Sequence, residues 1–169
     1  LTGKPSTNAT VRTTTAATMF EGSEQDNVLP QQARAVVNFR IHPRDSVATV
    51  LEHVETVIDD PLVEVRRYGE VASEPSPVSR VDGPGYAAIE RSIRAAFPEV
   101  IVAPSLLVGA SDSRHYTAVA RDVYRFNPAW LGPDDTARIH GTNERIGVEN
   151  VGRAVRFYTA VLREAGTQE

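Results

Sequence analysis

The chain has 169 residues, 41% hydrophobic and 24% charged, with a net charge of −4, which is the composition of a folded chain rather than a disordered one. Its acids and bases are interspersed with no basic stripe to follow a phosphate backbone, so nucleic-acid binding is not expected. The absence of cysteine excludes disulfides, zinc fingers and a thiol nucleophile, and no apolar run approaches the roughly 20 residues that span a bilayer.

The first residues, LTGKPSTNATVRTTT, contain no initiator Met, no basic n-region and no apolar h-region. They do not form a signal peptide and read as the interior of a domain, so the expectation is a fragment with further sequence upstream. The compartment stays open, with a soluble chain and the cytoplasm as the default.

Residues 12–20, RTTTAATMF, are rich in β-branched threonine and predict a strand. A turn cluster, EGSEQDN, follows at 21–27. A second strand is predicted over 33–41, where Ala35, Val37, Phe39 and Ile41 alternate with Arg34, Val36, Asn38 and Arg40. Pro43 ends it, and Asp45 or Ser46 can cap the next element. Val47, Val50, Leu51, Val54, Val57 and Ile58 fall on one helical stripe. LVEVRRY, 62–68, predicts another strand. Residues 12–68 thus read β-β-α-β, an α+β unit with an antiparallel sheet covered by helix on one face.

The stretch 69–85, with three prolines and three glycines, reads as a connector. Beyond it the pattern turns α/β. Tyr86, Ile89, Ile93 and Phe97 mark a helix. VIVAPSLLVG, 100–109, predicts a buried strand. DSRHYTAVA predicts a short helix and VYRF a short strand. Val148, Val151, Val155, Tyr158 and Leu162 mark a last helix.

Three places carry candidate chemistry. The apolar run ending at Gly109 leads into Ala110, Ser111 and Asp112, the kind of strand end where open α/β sheets place ligands. Ser111 and the first amides of the following turn can hold an anion, although Asp112 or Ser113 can equally be a plain helix cap. Arg34, Asn38 and Arg40 can grip a carboxylate or form an ordinary solvated face. His140 sits in ARIHGTNERI with no second histidine nearby. His115, Asp112 and Glu144 lack diagnostic spacing to it, and His42 and His53 belong to other elements. One histidine supplies one ligand of a metal site, or none.

The stretches RTTTAATMFEGSEQDNVLPQQARAVVNFRIHP, PSLLVGASDSRHY, YRFNPAWLGPDD and RIHGTNERIGVENVGRAVRFYTAVL together resemble the C-terminal half of the di-zinc aminoacylase and carboxypeptidase family, nearest to carboxypeptidase S and the N-acyl-amino-acid hydrolases. The resemblance covers nearly the whole chain. It rests on Asn-Val-Leu-Pro, Gly-x-Ser-Asp-Ser-Arg and His-Gly-x-Asn-Glu in that order.

It implies that residues 1–70 are the later part of a lid or dimerisation domain. Residues 71–169 would be the C-terminal part of an α/β catalytic domain. It also implies hydrolysis of the amide bond of N-acyl amino acids, or of peptides with a free C-terminal carboxylate, by a subunit holding two zinc ions. His140 matches a zinc ligand, and Glu144 would orient the ligands. Gly109, Ser111 and Arg40 match contacts to the substrate carboxylate, with Asn27 reaching over from the lid, and Asp112 and Arg114 support the turn. The general base and the other metal ligands would lie upstream, so the chain alone would be inactive. Its partners would be the missing N-terminal half and, through the lid, a second subunit. The contrasting reading is a catalytically inactive α+β dimerisation or ligand-binding module.

Overall fold

A computed structural model describes residues 5–69, 73–132 and 134–166. By its internal contacts the chain divides into two units. The first comprises Leu1–Val78 with Leu106–Arg114, and the second Ser79–Ser105 with His115–Glu169. Residues 70–72, where the sequence reading sets its domain boundary, lie outside the described residues.

The first unit opens with a single helical turn, α1 (Pro5–Asn8), followed by the strands β1 (Thr14–Glu21) and β2 (Arg34–Arg40). The strands pair antiparallel, with Thr14 opposite Arg40 and Glu21 opposite Arg34. The register shifts between Ala17 and Met19. Such a bulge adds twist and re-aims the side chains. Val36 and Phe39, rather than a strict Val37–Phe39–Ile41 row, are the better covered residues of β2. Arg34 reaches across the ladder to both carboxylate oxygens of Glu21 at 2.6 Å. Its guanidinium also lies 5.6 Å from the ring centroid of Tyr68. The Arg34–Asn38–Arg40 face therefore already spends one of its two arginines within the fold.

The next helix, α2 (Val47–Ile58), starts where the sequence predicts. Ser46 accepts from the Thr49 amide at 3.1 Å, and the Thr49 hydroxyl accepts from the Ser46 amide at 2.9 Å. This reciprocal cap satisfies two otherwise orphaned donors. Val47 is buried and Val50, Leu51 and Val54 are half-buried, while Val57 and Ile58 face solvent. Asp59 ends the helix in the left-handed region, at φ 45°.

The strand expected over 62–68 does not form. Asp60 instead caps a turn by accepting the Leu62 amide at 2.9 Å, and Leu62 is 93% exposed. Propensity alone does not make a strand, because its amides and carbonyls need a ladder partner.

In the second unit, α3 (Pro84–Ala96) follows Gly83, with proline in the first turn, where its missing N–H costs nothing. Gly85 is required there. A Cβ at that position would lie 2.9 Å from the Tyr124 ring. The other helix, α4 (Val148–Gly166), packs on α3. Ile93, Ala96 and Phe97 form the core with Phe157, which is 3% exposed. Ile89, Val100, Val102 and Val161 surround them, and Phe126 tilts against Phe157 at 4.8 Å. Arg91 of α3 also pairs with Glu164 of α4.

Part of the predicted connector is fastened down rather than free. The Ser79 hydroxyl donates to the Val123 carbonyl at 2.9 Å and accepts the Val123 amide at 2.8 Å. Arg80 pairs with Asp122 at 2.5 Å, and Tyr124 donates to the Arg80 carbonyl at 2.7 Å.

The expected strands at 100–109 and 123–126 are not laddered; among the described residues the only sheet is β1–β2. Val100 and Val102 pack on the core while Ile101, between them, is 93% exposed. Residues 100–102 thus alternate like a strand without a partner strand. In α4 the stripe chosen from periodicity points away from the core, which Phe157 and Val161 contact instead. None of the described helices is long and apolar enough to cross a membrane.

Two outcomes follow for stability. Phe157→Ala empties the centre of the α3–α4 contact and is expected to cost about 3–5 kcal/mol, measured by denaturant unfolding. Asp122 is held below the usual carboxylate range, first by the Arg80 side chain and then by the Arg80 amide. A depressed folded value stabilises above the unfolded value of about 3.9 and loses that stabilisation as pH falls through the folded value. Thermal scans should therefore show Asp122→Asn melting below wild type near pH 7, with the gap closing as pH falls below the unfolded value and through the folded one.

Candidate functional site

The His-Gly-x-Asn-Glu motif lies in the second unit, on the loop between a short 3-10 turn (Thr136–Arg138) and α4. Asp135 organises the approach. Its carboxylate accepts the Gly132 amide at 2.7 Å and pairs with Arg138 at 2.5 Å. The Gly141 amide then closes on the Arg138 carbonyl at 2.8 Å. A Cβ on Gly141 would lie 3.2 Å from that same oxygen, so a side chain there would crowd the turn.

His140 and Asn143 both take left-handed backbone conformations, at φ 60° and 64°. Asparagine and histidine are among the non-glycine residues found there most often, yet the conformation is uncommon for any residue with a side chain. Strain of this kind persists only where surrounding contacts hold it, and it gathers at functional positions. His140, Asn143 and Glu144 are all exposed, so the imidazole is presented to solvent on a turn closed behind it.

The other sequence-predicted residues belong to the first unit. Asn27 is exposed on the loop joining β1 to β2, and Arg40 is exposed at the end of β2 opposite Thr14. Gly109 and Ser111 lie on an exposed loop before a 3-10 helix, Asp112–Ala118, which stands where the short helix is predicted. The Ser111 hydroxyl lies 2.6 Å from that of Ser113, and the Ser111 carbonyl accepts the Arg114 amide at 3.3 Å. No atom within 4 Å would obstruct a side chain on Gly109. Its space is open rather than packed.

Zinc takes about four ligands, with three or four from protein. Among the described residues no three His, Asp or Glu side chains converge to hold a metal. An exposed imidazole is a fitting donor, but a single one offers at most one of those ligands.

One arrangement has no counterpart in the sequence reading. A cleft of about 440 Å³ is lined by Glu99, Trp130, Val148, Glu149, Asn150 and Arg153, with Gly147 at its edge. Asn150 clamps the Trp130 backbone, accepting its amide at 2.8 Å and donating to its carbonyl at 2.9 Å. The Arg153 guanidinium lies 5.5 Å from the Phe97 ring centroid and 5.9 Å from that of Trp130. Neither His140 nor Glu144 lines this cleft. It marks how the Trp130 loop is anchored to α4, and nothing in the spacing of these residues announces it.

Comparison with known proteins gives these motifs a family. The model of peptidase family M20/M25/M40 matches residues 6–164. The chain belongs to this family. It is 42% identical over 167 residues to the N-fatty-acyl-amino acid synthase/hydrolase PM20D1.1 of Danio rerio, covering 98% of this chain and 32% of that protein. It is 36% identical to the probable carboxypeptidase S-like 2 of Dictyostelium discoideum, covering 96% of this chain and 31% of that protein. Carboxypeptidase S of Saccharomyces cerevisiae is 25% identical, over 87% of this chain and 31% of its own length. The chain therefore spans about a third of the length of the curated relatives it matches. No solved structure matches.

For a member of the M20 family the backbone of the His140 loop is directly testable. Asn143→Gly should be neutral or slightly stabilising, because glycine accepts φ 64° freely. Asn143→Val should cost about 1 kcal/mol or more, since a β-branched residue resists that region. Unfolding free energies of the two variants check the difference.

Proposed function

We propose that this chain is the C-terminal portion of a zinc-dependent amidohydrolase of the M20 family, acting on N-acyl amino acids or on peptides with a free C-terminal carboxylate. Residues 1–70 are the later part of its lid, through which two subunits pair, and residues 71–169 the end of its catalytic domain. The observation that carries the reading is His140, an exposed imidazole held in a left-handed turn within a chain of this family. The names of the relatives, an acyl-amino acid synthase/hydrolase and two carboxypeptidase S proteins, support the substrate class.

In this reading His140 donates a ring-nitrogen lone pair to one zinc ion, and the remaining ligands come from outside the chain. Bound zinc would supply Lewis-acid polarisation of the scissile carbonyl and lower the pKa of the attacking water. The residues of this chain bind and orient. The Arg40 fork pairs with the substrate carboxylate in a geometry that lysine cannot reproduce. The Ser111 hydroxyl and the Gly109 amide donate to the same group, and the Asn27 amide adds a donor from the lid. Asp112 and Arg114 shape the turn that carries Ser111, and Glu144 orients the neighbourhood of His140. The proton-transferring base lies outside the chain, so the chain alone is inactive.

His140→Ala in the full-length protein is expected to remove one zinc per subunit and to lower hydrolysis of a small acyl-amino-acid panel by at least about 100-fold, since losing merely a residue that orients a ligand costs about 10–100-fold. The circular dichroism spectrum should be unchanged. Full activity with full metal content in that variant would refute the assignment.

A further inference from the structure

The loop that carries His140 is fastened at its neck. Of the described residues between 131 and 149 none is buried, and only Gly132, Asp135 and Arg138 are half-buried. The hydrogen bonds described for this segment stay inside it. They run from Gly132 to Asp135, between Arg138 and Asp135, and from Gly141 to Arg138. A surface segment whose ends meet and whose contacts are its own has the construction of an Ω-loop, here on a longer span.

The ends meet at one side chain. Asn150, in the first turn of α4, accepts the Trp130 amide at 2.8 Å and donates to the Trp130 carbonyl at 2.9 Å. An asparagine amide offers the same C=O and N–H pair as a peptide group. The double bond therefore fixes the orientation of the Trp130 backbone as well as its distance, as a rung of an antiparallel ladder does. Arg153, one turn further along α4, lays its guanidinium 5.5 Å from the Phe97 ring centroid and 5.9 Å from that of Trp130. Trp130 is thus held by backbone and by ring from one helix, and Pro128 just before it is fully buried. Beyond this neck the chain reaches His140 and Asn143 in left-handed backbone. Such conformations persist only where the surroundings over-determine them. A metal ligand likewise works only when its support holds it close to the productive geometry.

We propose that Asn150 is the positioning residue of His140. By closing the neck between Trp130 and α4, it holds the loop in the arrangement that presents the imidazole to zinc. Its part is indirect, through the Trp130 backbone. The proposal rests on the reading of His140 as a zinc ligand.

The test uses the full-length protein and its Asn150→Ala variant. Val161→Ala is the reference, because it weakens the packing of α4 away from the neck. Hydrogen exchange is followed by peptide mass spectrometry on the zinc-free protein. The peptides that contain the bonded amides of Gly132, Asp135, Arg138 and Gly141 are expected to exchange at least about 10-fold faster in Asn150→Ala, because a loop without its closing bonds opens locally. Those of α3 should keep their wild-type rates. The zinc dissociation constant, from competition with a chromophoric chelator, should rise about 10–100-fold, as it does when a group that orients a ligand is lost. With zinc in excess kcat should fall while KM holds, since the contacts proposed for the substrate carboxylate lie in the first unit. Val161→Ala should show none of these changes. Should the alanine variant fail to fold, Asn150→Asp decides. It keeps the oxygen that accepts the Trp130 amide but, once ionised, has no proton for the carbonyl, and it should move exchange and zinc affinity the same way. Unchanged loop exchange would overturn the proposal. So would faster exchange with unchanged zinc affinity, or an equal loss of zinc affinity in Val161→Ala. Wild-type protein that binds no zinc would sink the reading of His140 as a ligand, whereas unchanged loop exchange in a zinc-binding protein would sink this proposal alone.

Discussion

Phe157 sits against Ile93, Ala96 and Phe97, and the second unit is organised around that contact. Burying one large aromatic between two helices contributes about 1.5–3 kcal/mol from its area alone, and the ring contact with Phe126 adds to it. The contact fixes which face of α4 is inward. It thereby fixes where Asn150 clamps the Trp130 backbone and where the loop carrying His140 meets the helix. Losing Phe157 would release the frame that positions the motif before it touched any motif residue.

The same contact explains which parts of the fold can be read from the sequence. The Ile93–Phe97 stripe of α3 is legible because its partner lies within the chain. The Ser46–Thr49 cap is legible because capping is local chemistry. In α4 the sequence offers two apolar faces, and periodicity cannot say which one a given partner will cover. The more regular row, Val148 to Leu162, is the one left bare. The strands expected at 62–68, 100–109 and 123–126 were read from β-propensity and apolar runs, and propensity does not supply the neighbour that a ladder needs. Among the described residues only β1 and β2, consecutive in the chain and joined by the loop 22–33, bring their own partner with them.

The candidate site divides along a similar line. The motif residues were visible as residue types in order. What the sequence does not encode is the backbone: neither His140 nor Asn143 is glycine, yet both turn left-handed, while at Gly141 between them a side chain would crowd the Arg138 carbonyl. The Asn150–Trp130 clamp spans 20 residues and uses two backbone atoms of the tryptophan, so no side-chain pattern betrays it. Arg34 shows the opposite case. As a residue type it suggested carboxylate binding, and the structure engages it with Glu21 across the ladder.

His140 offers a single ligand, and its neighbours among the described residues do not complete a metal shell. What His140 touches in the full-length protein therefore decides whether it is a zinc ligand. Anomalous diffraction from crystals of the full-length protein, recorded on both sides of the zinc absorption edge, measures this directly. A zinc peak about 2.0–2.1 Å from a ring nitrogen of His140 is the predicted result. Zinc peaks elsewhere in the molecule, with none within reach of His140, would contradict it.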